Sequence, residues 1–308
     1  MPLMTVRACE PAGAPFPAAL ACLSLCLLLS SLSISSANIA LPALAAAFTA
    51  PFQQVQWVVL AYLLAITTLI VSVGRLGDLV GRRRLLLAGL VLFAAASALC
   101  GAAPTLWLLI AARAVQGIGA ATMMALSMAL VGEIVPKAKT GSAMGLLGTM
   151  SAVGTALGPS LGGVLVSGFG WRAIFLVNVP LALLASLAAY RTLPMDRRRP
   201  AAQPVLGDKT GTLLLALTLA AYALAMTVGR GSFGVSNAAL LAAAAFGIVL
   251  FVVVEARPES PLIRLAMFRD RTLSASLVMS ALVATVAMAT QVVGPFYLPV
   301  LLWRFLAA

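Results

Sequence analysis

Nine stretches of roughly twenty residues, nearly free of charge, recur along the 308-residue chain, near positions 18–40, 55–74, 85–102, 106–131, 142–166, 173–190, 212–228, 238–255 and 273–293. A helix rises 1.5 Å per residue, so about 20 apolar residues cover the roughly 30 Å of bilayer hydrocarbon. In hydrocarbon every backbone N–H and C=O needs a partner inside the protein, and a helix supplies those partners locally. The expected fold is therefore an all-α integral membrane protein of about nine transmembrane helices, with the lipid bilayer as its solvent. Composition agrees: 62% of residues are hydrophobic and 9% charged, with mean hydropathy +1.09. A soluble domain carries roughly 25% charged residues.

The net charge of +12 does not point to nucleic acid, because the basic residues form short clusters between the apolar runs. With the N-terminus inside, one side of the membrane carries Arg7, Arg75, Arg82 to Arg84, Lys137, Lys139, Arg191, Arg197 to Arg199, Lys209, Arg257, Arg264, Arg269 and Arg271. Opposite them stand only Arg172, Arg230 and Arg304, and Arg113 lies within a span. Positive loops stay in the cytoplasm. The expected location is a bacterial inner membrane, multi-pass, with a cytoplasmic N-terminus. Ala18 to Ser36 reads alternatively as a signal peptide, but eight further spans favour a retained first helix.

No cofactor and no metal are expected. The chain has no histidine, and Cys9, Cys22, Cys26 and Cys100 lack the spacing of a metal site. Cys22 and Cys26, one helical turn apart in an apolar run, read as small packing residues. No nucleophile and base pair, and no intramembrane carboxylate pair, suggests an enzyme.

An offset of 89 residues aligns Gly74, Leu76, Gly81 and Arg83 with Gly163, Leu165, Gly170 and Arg172. The first copy follows the second span and the second follows the fifth, on opposite sides of the membrane. Spans 1–3 and 4–6 thus read as an inverted repeat, a common plan for transporter halves.

Three motifs sharpen this. Gly74, Asp78, Gly81, Arg82 and Arg83, between spans two and three, resemble the cytoplasmic loop signature of the major facilitator superfamily. The glycines allow a tight turn, and Asp78 can accept from an arginine or from helix N-terminal amides. Arg113-Ala114-Val115-Gln116-Gly117-Ile118-Gly119-Ala120-Ala121 resembles a second signature of the superfamily. Arg113 and Gln116 share one helical face; Arg113 either faces a cavity or partner, or snorkels to the outer headgroups. Gly154, Gly158, Pro159, Gly162 and Gly163 resemble the signature associated with its antiporters. Gly154, Gly158 and Gly162 form a flat strip for close helix approach, and Pro159 bends the helix. Asn38-Ile39-Ala40-Leu41-Pro42 and Trp171 to Pro180 are similar to the fourteen-span drug:proton antiporter family.

That resemblance implies a transporter with a small-molecule substrate, exporting drugs or other lipophilic or cationic compounds, and protons as coupling ion. It implies six N-terminal helices over 18–190 after a cytoplasmic segment 1–17. A cytoplasmic loop 191–211, two inserted helices over 212–256 and a loop 257–272 follow, with 273–308 as the first helix of a second half. Compared with fourteen spans, the chain reads as cut short, and a non-transporting product is the competing expectation. Substrate-facing candidates are Ser31, Ser35, Asn38, Trp57 and Tyr62, with Trp57 alternatively an interfacial anchor. All eight acidic residues fall in loops or at helix ends, and Ser33 stands where proton-driven relatives commonly carry aspartate. A hydroxyl does not titrate near neutral pH, so coupling is expected to use Glu133 or carboxylates outside these spans.

Overall fold

The computed structural model describes residues 16–196, 209–227, 234–255, 274–283 and 285–286, and these are helical apart from short joints. In order run α1 (Phe16–Phe48), α2 (Phe52–Val55), α3 (Trp57–Val80), α4 (Arg82–Ala102), α5 (Leu106–Ile134), α6 (Thr140–Phe169), α7 (Ala173–Leu176), α8 (Asn178–Thr192), α9 (Lys209–Thr227) and α10 (Val235–Glu255). Among the described residues seven helical stretches are long and apolar enough to cross a membrane, with α2–α3 and α7–α8 each forming one. Shorter apolar helices, Leu213–Ala225 and Ser274–Val283, fall in the seventh and ninth expected spans, so about nine helices fit. The chain divides into two compact units, Met1–Val252 and Val253–Ala308. The second contributes the apolar helix Ser274–Val283.

In the first unit α1 lies along α6 and α8, α5 lies along α3 and α4, and the pairs α4–α8 and α1–α5 also pack. Exchanging α1 with α5, α3 with α6 and α4 with α8 carries α1–α6 onto α5–α3 and α1–α8 onto α5–α4. It leaves α4–α8 and α1–α5 unchanged. An inverted repeat would produce this pairing pattern. Two apolar cores result. One gathers Leu23, Cys26, Ile66, Leu86, Leu90 and Leu126; the other gathers Leu44, Val58, Cys100, Leu109, Trp171 and Phe175. Along α1, α4 and α5 a buried polar band separates them, made by Ser33, Ser97, Arg113 and Gln116.

The joints match at positions that the offset of 89 residues aligns. Gly81 (φ 109°) and Gly170 (φ 80°) have positive φ. Each ends a helix by donating its N–H four residues back, Gly81 to the Gly77 carbonyl at 3.0 Å and Gly170 to that of Val166 at 3.1 Å. These positions align at the offset of 89 residues, and the next aligned pair is also matched. Arg83, in the first turn of α4, donates to the Tyr190 carbonyl near the end of α8 and lies over the Tyr190 ring at 5.2 Å. Arg172, just before α7, donates to the Ala103 carbonyl just past α4 at 3.4 Å and lies over the Trp171 ring at 4.4 Å. Two arginines thus clasp the same helix pair from its two ends. A side chain is strained at such backbone angles by about 1–3 kcal/mol. Gly170→Ala is therefore expected to lower stability by about that amount although nothing lies within 4 Å of the added carbon, a loss readable as a lower unfolding temperature in detergent micelles.

Two expectations change. The first span does not end near residue 40: α1 runs on through Pro42 to Phe48. A proline removes one helical hydrogen bond, here the one to Asn38, but Leu41 just before it and Leu44 just beyond it are buried in the second core, and that burial holds the helix on. The loop motif is also mostly helix, since Gly74 and Asp78 belong to α3, Arg82 and Arg83 belong to α4, and Gly81 alone makes the turn.

Candidate functional site

Arg113 is fully buried, which excludes the snorkelling alternative. Its Nε donates to the Val58 carbonyl at 3.0 Å. Its Nη1 donates to Ser33 Oγ at 3.0 Å and to Gln116 Oε1 at 2.6 Å, and Nη2 reaches the Ser33 carbonyl at 3.5 Å. The guanidinium lies over the Tyr62 ring at 4.1 Å and near the Phe175 ring at 5.6 Å. Rings attract cations through their negative faces, more strongly where water is excluded. The partners come from α1, α3, α5 and α7, so one side chain ties its own helix to three others.

The network continues outward. Gln116 Nε2 donates to Ser97 Oγ at 2.6 Å, and Ser97 in turn donates to the Phe93 carbonyl. This fixes the Gln116 amide with its oxygen toward Arg113. Tyr62 donates its hydroxyl proton to the Ser30 carbonyl at 3.0 Å, so its ring is pinned against the guanidinium. Arg113, Gln116 and Tyr62 are thereby brought together, and Ser33 joins them. Trp57 and Asn38 are half-buried and stand outside the hydrogen bonds of Arg113.

Ser31 and Ser35 face α6 instead. The Ser31 and Ser151 hydroxyls are 2.6 Å apart, and Ser35 Oγ donates to the Thr155 carbonyl at 2.7 Å. Pro159 has no N–H to give that carbonyl, four residues back, so a serine on α1 satisfies the group that proline leaves open. Gly154, Gly158 and Gly162 line the same contact: a Cβ at any of them would meet the backbone or side chains of Leu28 to Ser36, whereas at Gly163 and Gly74 it would meet nothing within 4 Å.

At the α3–α4 end Arg82 pairs with Asp78 at 2.8 Å and Glu133 at 3.3 Å, and donates to the Ala129 carbonyl. Asp78 thus takes an arginine rather than helix amides. The amides of α4 are met by Asp196, which accepts from Arg83 N at 2.9 Å and Arg84 N at 3.2 Å. A carboxylate on the N-terminal amides of a helix is favoured by the helix dipole. Asp196 and Ser97 escaped the sequence reading. Asp196 acts across more than a hundred residues, and Ser97 is a lone hydroxyl in an alanine-rich run. Among the described residues no cluster of three or more Cys, Asp or Glu is placed to hold a metal ion.

The decisive comparison covers the bundle and continues beyond it: a family model described as Major Facilitator Superfamily matches residues 23–308. The chain belongs to the Major Facilitator Superfamily. Among its superfamily relatives, the multidrug resistance protein Stp of Mycobacterium tuberculosis is 38% identical over 236 residues, covering 76% of this chain and 43% of Stp. The riboflavin transporter RibZ of Clostridioides difficile is 32% identical over 277 residues, covering 88% of this chain and 58% of RibZ. The chain therefore spans about half the length of such relatives. A crystal structure of a bacterial homolog to the human lysosomal transporter Spinster, inward-facing and occupied, aligns with TM-score 0.53 at 19% identity, over 79% of this chain and 62% of that one. It shares the superfamily fold.

Proposed function

We propose that residues 18–190 form the N-terminal six-helix half of a proton-coupled superfamily exporter of small lipophilic compounds. In this reading 212–256 is an inserted helix pair, and 273–308 begins a second half. The chain sits in a bacterial inner membrane with its N-terminus and the Asp78–Arg84 turn in the cytoplasm, as the distribution of basic residues favours. The observation that carries this reading is Arg113. An arginine within a span costs roughly 2.5–3.5 kcal/mol on insertion scales, and here neutral groups alone hold it. Packing does not require such a residue. The relatives named for multidrug resistance or multidrug transport support the substrate class.

Ser31, Ser35 and Tyr62 then serve by holding helices, and the half-buried Asn38 and Trp57 are the pair assigned to the substrate path. The proton is assigned to Glu133, beside Arg82, or to carboxylates outside the described spans. The test is efflux of a lipophilic fluorescent dye from an efflux-deficient bacterial host. The chain is expressed alone and with the remaining length of Stp supplied as a second polypeptide. Export that collapses on adding a protonophore is expected. Unchanged dye accumulation in both cases, with the protein present in the membrane, would overturn the reading.

A further inference from the structure

We propose that Arg113 gives the bundle of residues 16–196 an interior positive charge that no carboxylate of those residues compensates, which makes it select neutral and anionic compounds over cations. The proposal rests on the transport reading above and narrows its substrate class. It departs from the cationic part of the expectation drawn from the sequence.

Three observations carry it. First, every hydrogen-bond partner of Arg113 is neutral: the Val58 and Ser33 carbonyls, the Ser33 hydroxyl and the Gln116 amide oxygen. Guanidinium does not lose its proton in proteins, so the charge persists. Second, the carboxylates of residues 16–196 are Asp78, Glu133 and Asp196, and all three gather at the α3–α4 end. Asp78 and Glu133 pair with Arg82, and Asp196 is engaged by the amides of Arg83 and Arg84. Glu133 follows Arg113 by twenty residues on the same helix, about 30 Å away at 1.5 Å per residue. Third, Ser33 Oγ lies 3.0 Å from Nη1, in the position from which a carboxylate would neutralise the guanidinium. A hydroxyl there leaves the charge standing.

A fully buried charge with no ion partner acts over distance, because mobile ions screen it less than they do at a surface. For a univalent compound about 12 Å away, at an effective dielectric constant of about 20, Coulomb's law gives a bias of about tenfold. A cation is disfavoured by that factor, an anion is favoured by it, and a neutral compound is unaffected. Helix carbonyls around Arg113 stabilise it as dipoles and do not change the net charge.

The test compares two dyes built on the same xanthene frame, cationic rhodamine 123 and anionic fluorescein. Their equilibrium binding to the purified full chain in uncharged detergent micelles is read by fluorescence anisotropy. Wild type is expected to bind fluorescein at least tenfold more tightly than rhodamine 123. Ser33→Asp, which places a carboxylate against Arg113, is expected to move that ratio at least tenfold toward the cation. Arg113→Gln should move it the same way by removing the charge, so either variant suffices if circular dichroism shows the other unfolded. Equal or cation-favouring binding by wild type, a ratio that neither variant moves, or no binding of either dye would each overturn the proposal. A chain that binds as expected but exports nothing keeps this proposal and loses the transport reading. One that exports both dyes equally loses this proposal alone.

Discussion

Arg113→Met is expected to yield a chain that folds at least as stably as wild type and exports at least tenfold more slowly. The two effects have opposite signs for one physical reason. Burying an ion without a counterion costs several kcal/mol after relaxation, and the hydrogen bonds to Ser33, Gln116 and Val58 with the stacking on Tyr62 only partly offset it. Methionine is unbranched and adaptable, so it can fill the slot between the Tyr62 and Phe175 rings without the desolvation cost. The Val58 and Ser33 carbonyls sit in helices and lose little when the guanidinium leaves. The Ser33 hydroxyl and Gln116 oxygen lose a donor, at about 1–3 kcal/mol each if nothing replaces it, which limits the gain. Thermal unfolding in micelles and dye efflux in cells read the two quantities separately. A variant more than about 2 kcal/mol less stable than wild type would mean that the polar band is kept for packing, and the functional reading of Arg113 would fall.

The second large effect is expected at the α1–α6 contact. Gly158→Ala should destabilise by about 1–3 kcal/mol, the usual cost of an added methyl in a filled interior. The new carbon would run into the Ser35 side chain and the Ser36 backbone, and backbone cannot rotate away. Gly163→Ala, five residues on in the same helix and with nothing within 4 Å, should be neutral or gain about 0.5–1 kcal/mol through the higher helix propensity of alanine. Gly158→Leu should prevent assembly of the bundle altogether, seen as loss of folded protein from the membrane fraction. Equal behaviour of the two alanine variants would show that α1 does not rest on this strip.

Much of this was legible in the residues. The strip Gly154, Gly158 and Gly162 faces another backbone as its four-residue spacing required. Arg113 and Gln116 meet as a turn of helix places them, at 2.6 Å. The aligned pairs Gly81 with Gly170 and Arg83 with Arg172 have like conformations and like contacts. Local rules reach these features because spacing along a helix determines which residues share a face. Asp196 was not legible, since nothing in Pro194-Met195-Asp196 says that its carboxylate will close the N-terminus of a helix begun at Arg82. Nor was the engagement of Ser35 by the Thr155 carbonyl, which depends on how α1 lies against α6 beside Pro159.

The sequence by itself determined that the chain is a stack of membrane-spanning helices. Hydrocarbon admits few other arrangements of a backbone whose polar groups must be satisfied within the segment, and runs of apolar residues count the helices. It also placed one arginine, Arg113, within a span. Only the tertiary structure decided what that arginine meets. A hydroxyl, two carbonyls and two rings from helices far apart in the chain converge on it with an amide of its own helix, and no carboxylate among residues 16–196 does. Convergence of that kind depends on which helices pair and in what register, a property of side-chain packing across the whole bundle rather than of any one run of residues.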